Sequence, residues 1–118
     1  MSGAAFAHLR GHGLGFPEVV EDFPWGHTAL KVRGKTFVWL YESEGVLSLT
    51  VKLPVSRDFA LVFDECAPAG YGLGRSGWIT ATYAAGESPD LELLERWLAE
   101  SYRAVAPKKL AALLPLSD

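Results

Sequence analysis

The chain has 118 residues, 49% hydrophobic and 21% charged, which excludes a disordered chain and suits one compact core. Eleven basic and fourteen acidic residues leave a formal net charge of -3, so no global positive field draws in polyanions and any nucleic-acid site must be a local patch. The single cysteine, Cys66, excludes an intramolecular disulfide and thiolate zinc sites and fits a reducing compartment.

In chain order, Met1 to Leu9 lacks a basic segment followed by a long apolar run, and no stretch approaches the roughly 20 apolar residues of a membrane span. A cytoplasmic single domain over residues 1–118 is expected. Gly11, Gly13 and Gly15 weaken the helix that Ala4 to Arg10 begins, so a short or frayed helix is predicted there. Phe16 to Gly26, framed by Pro17, Pro24 and Gly26, reads as an ordered acidic and aromatic loop. Three strands follow. Thr28 to Arg33 places Leu30 and Val32 on one face with Lys31 and Arg33 on the other. Thr36 to Tyr41 is β-branched and aromatic, pairing across Gly34 as a hairpin. Val46 to Lys52 alternates, with Leu47, Leu49 and Val51 inward and Ser48, Thr50 and Lys52 outward.

Pro54 suits a first helical turn, and Val55, Phe59, Val62 and Phe63 then share one helical face, predicting an amphipathic helix to about Phe63. The glycine-rich Gly70 to Gly77 leads into a strand, Trp78 to Tyr83, as part of a second hairpin. Ser88-Pro89 reads as an N-cap and first helical position. From there Leu91, Leu94, Leu98, Tyr102 and Val105 form the stripe of a long helix ended by Pro107. The order α-β-β-β-α-β-β-α, without strand-helix-strand alternation, predicts an α+β fold of two layers, an antiparallel sheet with helices on one face.

Several motifs have spacings that chemistry uses. Gly72-Leu73-Gly74-Arg75-Ser76-Gly77 has the spacing of a dinucleotide fingerprint, but a strand follows it where a helix is needed, so the glycines are expected to serve a turn. His8 and His12 are spaced like two metal ligands on one helical turn, yet the flanking glycines favour a solvated start. Cys66 follows Asp64-Glu65, whose charge disfavours the thiolate. No base-nucleophile pair is recognisable. No enzyme activity, cofactor or metal is therefore expected. Lys31, Arg33 and Lys35 make a local basic wing, Arg75 is placed at the tip of the second hairpin, and Trp25 and Trp78 are expected partly exposed in glycine-flanked segments; Trp97 is expected in the core. Together Lys31, Arg33, Lys35 and Arg75 can grip phosphates while Trp78 or Trp25 packs on sugar or base.

Pro17, Glu21-Asp22, Phe23-Pro24-Trp25-Gly26-His27, Lys31-Val32 and Gly34-Lys35-Thr36-Phe37, followed by Tyr71-Gly72-Leu73-Gly74-Arg75-Ser76-Gly77-Trp78 and a helix with Trp97 and Ser101-Tyr102, resemble the MmcQ/YjbR-like proteins from about Pro17 to Leu114. The resemblance implies a small α+β fold similar to the frataxin-like or secretion-chaperone-like arrangement, described as a double-wing DNA-binding fold. It also favours His27 as a loop residue that holds the turn after Trp25-Gly26, without assigning catalysis; a cleft beside His27 and Trp25 is the candidate ligand pocket, where a small-molecule enzyme is the third reading. The expected function is a small binding module. DNA held by the basic wings is the first expected partner. A protein partner docked on exposed aromatics, in an adaptor or chaperone-like role, is the alternative, and no membrane is involved.

Overall fold

The structure, a computed structural model, describes residues 3–23, 27–70 and 73–114. Six strands, β1 (Val19–Asp22), β2 (Thr28–Val32), β3 (Lys35–Ser43), β4 (Val46–Lys52), β5 (Cys66–Pro68) and β6 (Trp78–Tyr83), form one sheet in the order β1-β2-β3-β4-β6-β5. Every pairing is antiparallel. Helices α1 (Gly3–Leu14) and α3 (Leu91–Val105) pack on one face of this sheet, with the one-turn helices α2 (Arg57–Ala60) and α4 (Lys108–Ala111) beside them. The fold is therefore the two-layer α+β arrangement that the element order implies.

Period-2 alternation builds the core from the sheet side. Leu30, Val38, Val51 and Ile79 lie opposite one another across β2, β3, β4 and β6, and Leu40, Leu49, Ala81 and Cys66 make the next row. All are buried, against Leu94, Leu98 and Tyr102 of α3. Trp97 is buried in the same layer.

The rows are interrupted once. Leu30 pairs with Val38 and Lys31 with Thr36, so Phe37 is the extra residue of a β-bulge. Its ring meets Tyr102 edge-on at 5.3 Å. Its carbonyl accepts a hydrogen bond from Ser101 Oγ of α3, and the same hydroxyl accepts from the Lys52 N–H of β4 at 2.8 Å. One buried hydroxyl thus bridges two strands and fixes α3 over them. At the other end of the ring Tyr102 donates its hydroxyl to the Pro17 carbonyl at 2.7 Å.

Four elements differ from the sequence expectation. Segment 19–22 is a strand at the sheet edge and not a loop, because Val19 to Asp22 finds the partners Val32 to Ala29. The first helix runs to Leu14 despite its glycines. Gly13 is what lets it come close, since a Cβ there would stand 2.6 Å from Leu30 Cδ1. The N-cap of α3 is Asp90, not Ser88, and its carboxylate accepts from the Leu93 N–H at 3.2 Å. The middle helix is a single turn, and Val55, Phe59 and Val62 face solvent instead of the core.

Candidate functional site

The face of the sheet turned away from the helices holds a candidate site. Alternation sends Ala29, Trp39, Thr50 and Thr80 to this face in one row across β2, β3, β4 and β6, with Tyr41, Ser48 and Thr82 in the next. Trp39 tilts against Trp78 with ring centroids 5.1 Å apart, and His27, immediately before β2, stacks on Tyr41 at 4.2 Å and 20°. The hydroxyls of Thr50 and Thr80 hydrogen-bond each other at 2.9 Å on the floor. A one-turn 3-10 helix, Leu73–Ser76, leans over this row. Together His27, Trp39, Tyr41, Thr50, Leu73 and Thr80 line a cavity of about 320 Å³, at the small end of ligand pockets. Flat apolar walls above a floor of hydroxyls suit a ring or a branched apolar side chain with a polar edge.

The cations singled out by the sequence are placed differently from the expectation. Lys31 Nζ lies 3.0 Å from Asp22 Oδ2. Arg33 sits in the β2-β3 turn at φ 52 and donates to both oxygens of Glu18, at 2.5 and 3.0 Å. The strand that sequence reading missed, together with Glu18 just before it, therefore supplies the carboxylates that face the basic wing. Hydrogen bonding from Arg33 holds the Glu18 carboxyl below its usual range, and Lys31, helped by the Phe23 N–H, does the same for Asp22. Arg10 of α1 completes the set by donating to Glu21 at 2.5 and 2.6 Å. Lys35 is exposed at the start of β3, and Arg75 falls within the 3-10 turn.

Trp78 is only 8% exposed, so the expectation of a partly exposed tryptophan there is corrected: it lies beside the half-buried Trp39 on the same face. Trp25 lies outside the described residues. Sequence reading missed Trp39, Tyr41, Thr50, Thr80 and Leu73 as a set. The signal was present in period 2, because Trp39 and Tyr41 alternate with buried Val38 and Leu40 just as Ser48 and Thr50 alternate with buried Leu47 and Leu49.

Other chemistry-bearing residues stand apart. Cys66 is buried, and burial followed by the Glu65 charge pushes its thiol up to about 11. Burial likewise pushes the Tyr83 hydroxyl well above the usual phenol range. His8 of α1 pairs with Glu95 of α3, and His12 packs edge-on against Phe16 at 5.3 Å. Among the described residues no group of three or more His, Cys, Asp or Glu is arranged to hold a metal ion, and no helix is long and apolar enough to cross a membrane.

Comparison with known proteins bears on the fold and this groove. The YjbR family model matches residues 14–104, most of the chain. The chain belongs to the YjbR family. Among solved structures, the Deinococcus radiodurans protein DR2400, described as a DUF419 domain, is similar with a TM-score of 0.68 at 26% identity, covering 84% of this chain and 76% of that one. No curated protein matches. Every residue lining the aromatic groove falls inside the YjbR match, whereas α1 lies almost wholly before it. The two most distinctive YjbR-like segments of the sequence reach the groove, one through His27 and the other through Leu73.

Proposed function

We propose that this YjbR-family protein is a non-enzymatic binding module that takes an apolar side chain of a protein partner into the groove on the helix-free face of its sheet. One observation carries the reading. Alternation in an antiparallel sheet with one covered face makes the other face polar, yet here its centre gathers Trp39, Tyr41 and His27 around a cavity. Tryptophan and tyrosine are the residues that dominate protein-recognition energetics.

The DNA-binding reading draws on Lys31, Arg33, Lys35 and Arg75. Protein binding is favoured over it because a phosphate must displace Asp22 from Lys31 and Glu18 from Arg33 before it gains either contact. An enzymatic reading finds little support in Cys66, whose raised pKa leaves it protonated and poorly nucleophilic.

Selection from a displayed library of extended peptides tests the proposal. Enriched sequences are expected to share one aromatic or branched residue and to lose at least tenfold in affinity against Thr50→Arg, which fills the groove, and against Tyr41→Ala at its exposed wall. Selected peptides that bind both variants as tightly as the parent refute the site. In parallel, duplex DNA is titrated at low and moderate salt; salt-sensitive binding that disappears when Lys31, Arg33 and Lys35 are all changed to alanine transfers the function to polyanion recognition.

A further inference from the structure

The floor of the aromatic groove holds an incomplete hydrogen-bond pattern. Thr50 of β4 and Thr80 of β6 stand directly opposite each other, and Trp39 of β3 stands opposite Thr50 on its other side. Ring wall and hydroxyls therefore follow one another at about one strand spacing, 4.8 Å. The two threonine hydroxyls bond each other at 2.9 Å, and among the described residues neither has a second partner. Two hydroxyls carry two hydrogens and four acceptor lone pairs, and their mutual bond uses one of each. One hydrogen and three lone pairs are left over. Ser48 adds a further hydroxyl to the same lining.

The leftover hydrogen belongs to whichever hydroxyl accepts within the pair, and accepting polarises it into a stronger donor. Either threonine can take that part, so the pair can aim its hydrogen from β4 or from β6. Both residues are half-buried, and water can meet the donor while the groove stands open. A side chain that fills the groove displaces that water, so it must bring an acceptor of its own or leave the hydrogen unmet.

The walls narrow the choice of side chain. Trp39, Tyr41 and Leu73 offer broad apolar surface that suits a ring. Phenylalanine fits such walls but brings no acceptor, and tryptophan brings an N–H that donates and cannot accept. Asparagine and glutamine accept but carry no ring. Aspartate and glutamate accept too, yet the described lining contains no lysine or arginine to balance their charge. Of the three large aromatic side chains, tyrosine alone meets both demands: its oxygen accepts the leftover hydrogen, and its own hydrogen goes to one of the remaining lone pairs. We infer, resting on the protein-binding reading of this groove, that its occupant is a tyrosine side chain, and that Thr50 and Thr80 select it over phenylalanine and tryptophan.

The test takes the tightest peptide from the displayed library, synthesises it with tyrosine, phenylalanine and tryptophan in turn at the anchor position, and titrates each against the full chain by fluorescence anisotropy. The wild type is expected to bind the tyrosine peptide at least about fivefold more tightly than either analogue, the lower bound for one buried donor left unmet. Thr50→Val combined with Thr80→Val removes both hydroxyls at nearly constant shape. That variant is expected to bind the phenylalanine peptide at least as tightly as the wild type does, with the tyrosine preference gone. Damage to the fold would weaken all three peptides together, so the changed ratio isolates selection. Thr50→Arg separates this inference from the reading beneath it. If Thr50→Arg weakens all three peptides but the wild type binds tyrosine and phenylalanine equally, or if the preference survives in the double valine variant, tyrosine selection is overturned and the groove stands. Peptides that bind Thr50→Arg as tightly as the wild type, or a library that yields no binder, remove the groove and the inference with it.

Discussion

Replacing Ser101 with alanine probes how the helix layer is fastened to the sheet. Phe37 and Lys52 are the residues immediately beyond the Val38–Val51 pair, so a regular ladder would join them directly. The bulge at Phe37 opens that rung, and the Ser101 hydroxyl fills it by donating to the Phe37 carbonyl and accepting from the Lys52 N–H. Ser101 is fully buried, so water has no easy route to the gap. Alanine then orphans one carbonyl and one N–H, each costing about 1–3 kcal/mol, for a loss of roughly 2–6 kcal/mol. An unfolding entropy of about 2.1 cal/mol/K per residue makes each kcal/mol worth about 4 °C in a chain of this length, so Tm should fall by about 8–24 °C. Urea unfolding followed by circular dichroism should give a lower midpoint at unchanged slope. A loss below about 1 kcal/mol would mean that β3 and β4 close the rung themselves, and the bridging role of Ser101 would be withdrawn.

Two glycines of α1 should respond to alanine with opposite signs: Gly11→Ala, where a Cβ meets nothing within 4 Å, should stabilise by about 0.5–1 kcal/mol, whereas Gly13→Ala drives a methyl against Leu30 and should cost about 1–3 kcal/mol net, both read from denaturant midpoints. Cys66 should resist thiol reagents near neutral pH until the chain unfolds. Because its folded pKa, about 11, lies above the free thiol's, the folded state keeps the proton longer, and the Cys66 contribution to stability should decline as pH rises from the ordinary thiol range towards about 11; Cys66→Ala should flatten that alkaline slope. Glu18 and Asp22 act in the reverse direction. Their folded pKa values are lowered, so the stability they contribute is present above the ordinary carboxylate range and lost as pH falls through the folded values. Glu18→Gln with Asp22→Asn should make acid unfolding less steep.

Much of the scaffold was legible because its elements are locally consistent. In β4 the inward residues Leu47, Leu49 and Val51 are the ones that strict alternation selects, and the α3 stripe contributes Leu94, Leu98 and Tyr102 to the centre of the core. The misreadings share a physical cause, which is that the decisive partner is distant in sequence. Val19 to Asp22 is too short and acidic to announce a strand, and it becomes one only because β2 offers an unpaired edge. The glycines of α1 look like helix breakers until Leu30 arrives against Gly13. The apolar face of Pro54 to Phe63 implied a core contact, but Glu100 turns the chain so that the stripe points into water. For the same reason the aromatic groove escaped attention: Trp39, Thr50 and Thr80 become neighbours only through register across three strands. His27 belongs to one contiguous segment, so its place beside the groove needs no distant partner to be suspected. The cations of the basic wing are contiguous too, whereas the carboxylates that meet them come from another segment.

Both borders of the sheet are closed to strand addition. On one side β5 spans only Cys66–Pro68, and a proline there contributes no amide hydrogen to an incoming chain. On the other, β1 is four residues long, with Glu21 and Asp22 drawn to Arg10 and Lys31 and Glu18 fastened to Arg33 just before it. Short, charged borders of this kind discourage the end-on stacking that leads to fibrils. A visitor must therefore settle on a broad surface and be chosen by the shape of its side chains, with main-chain zippering contributing nothing to the choice.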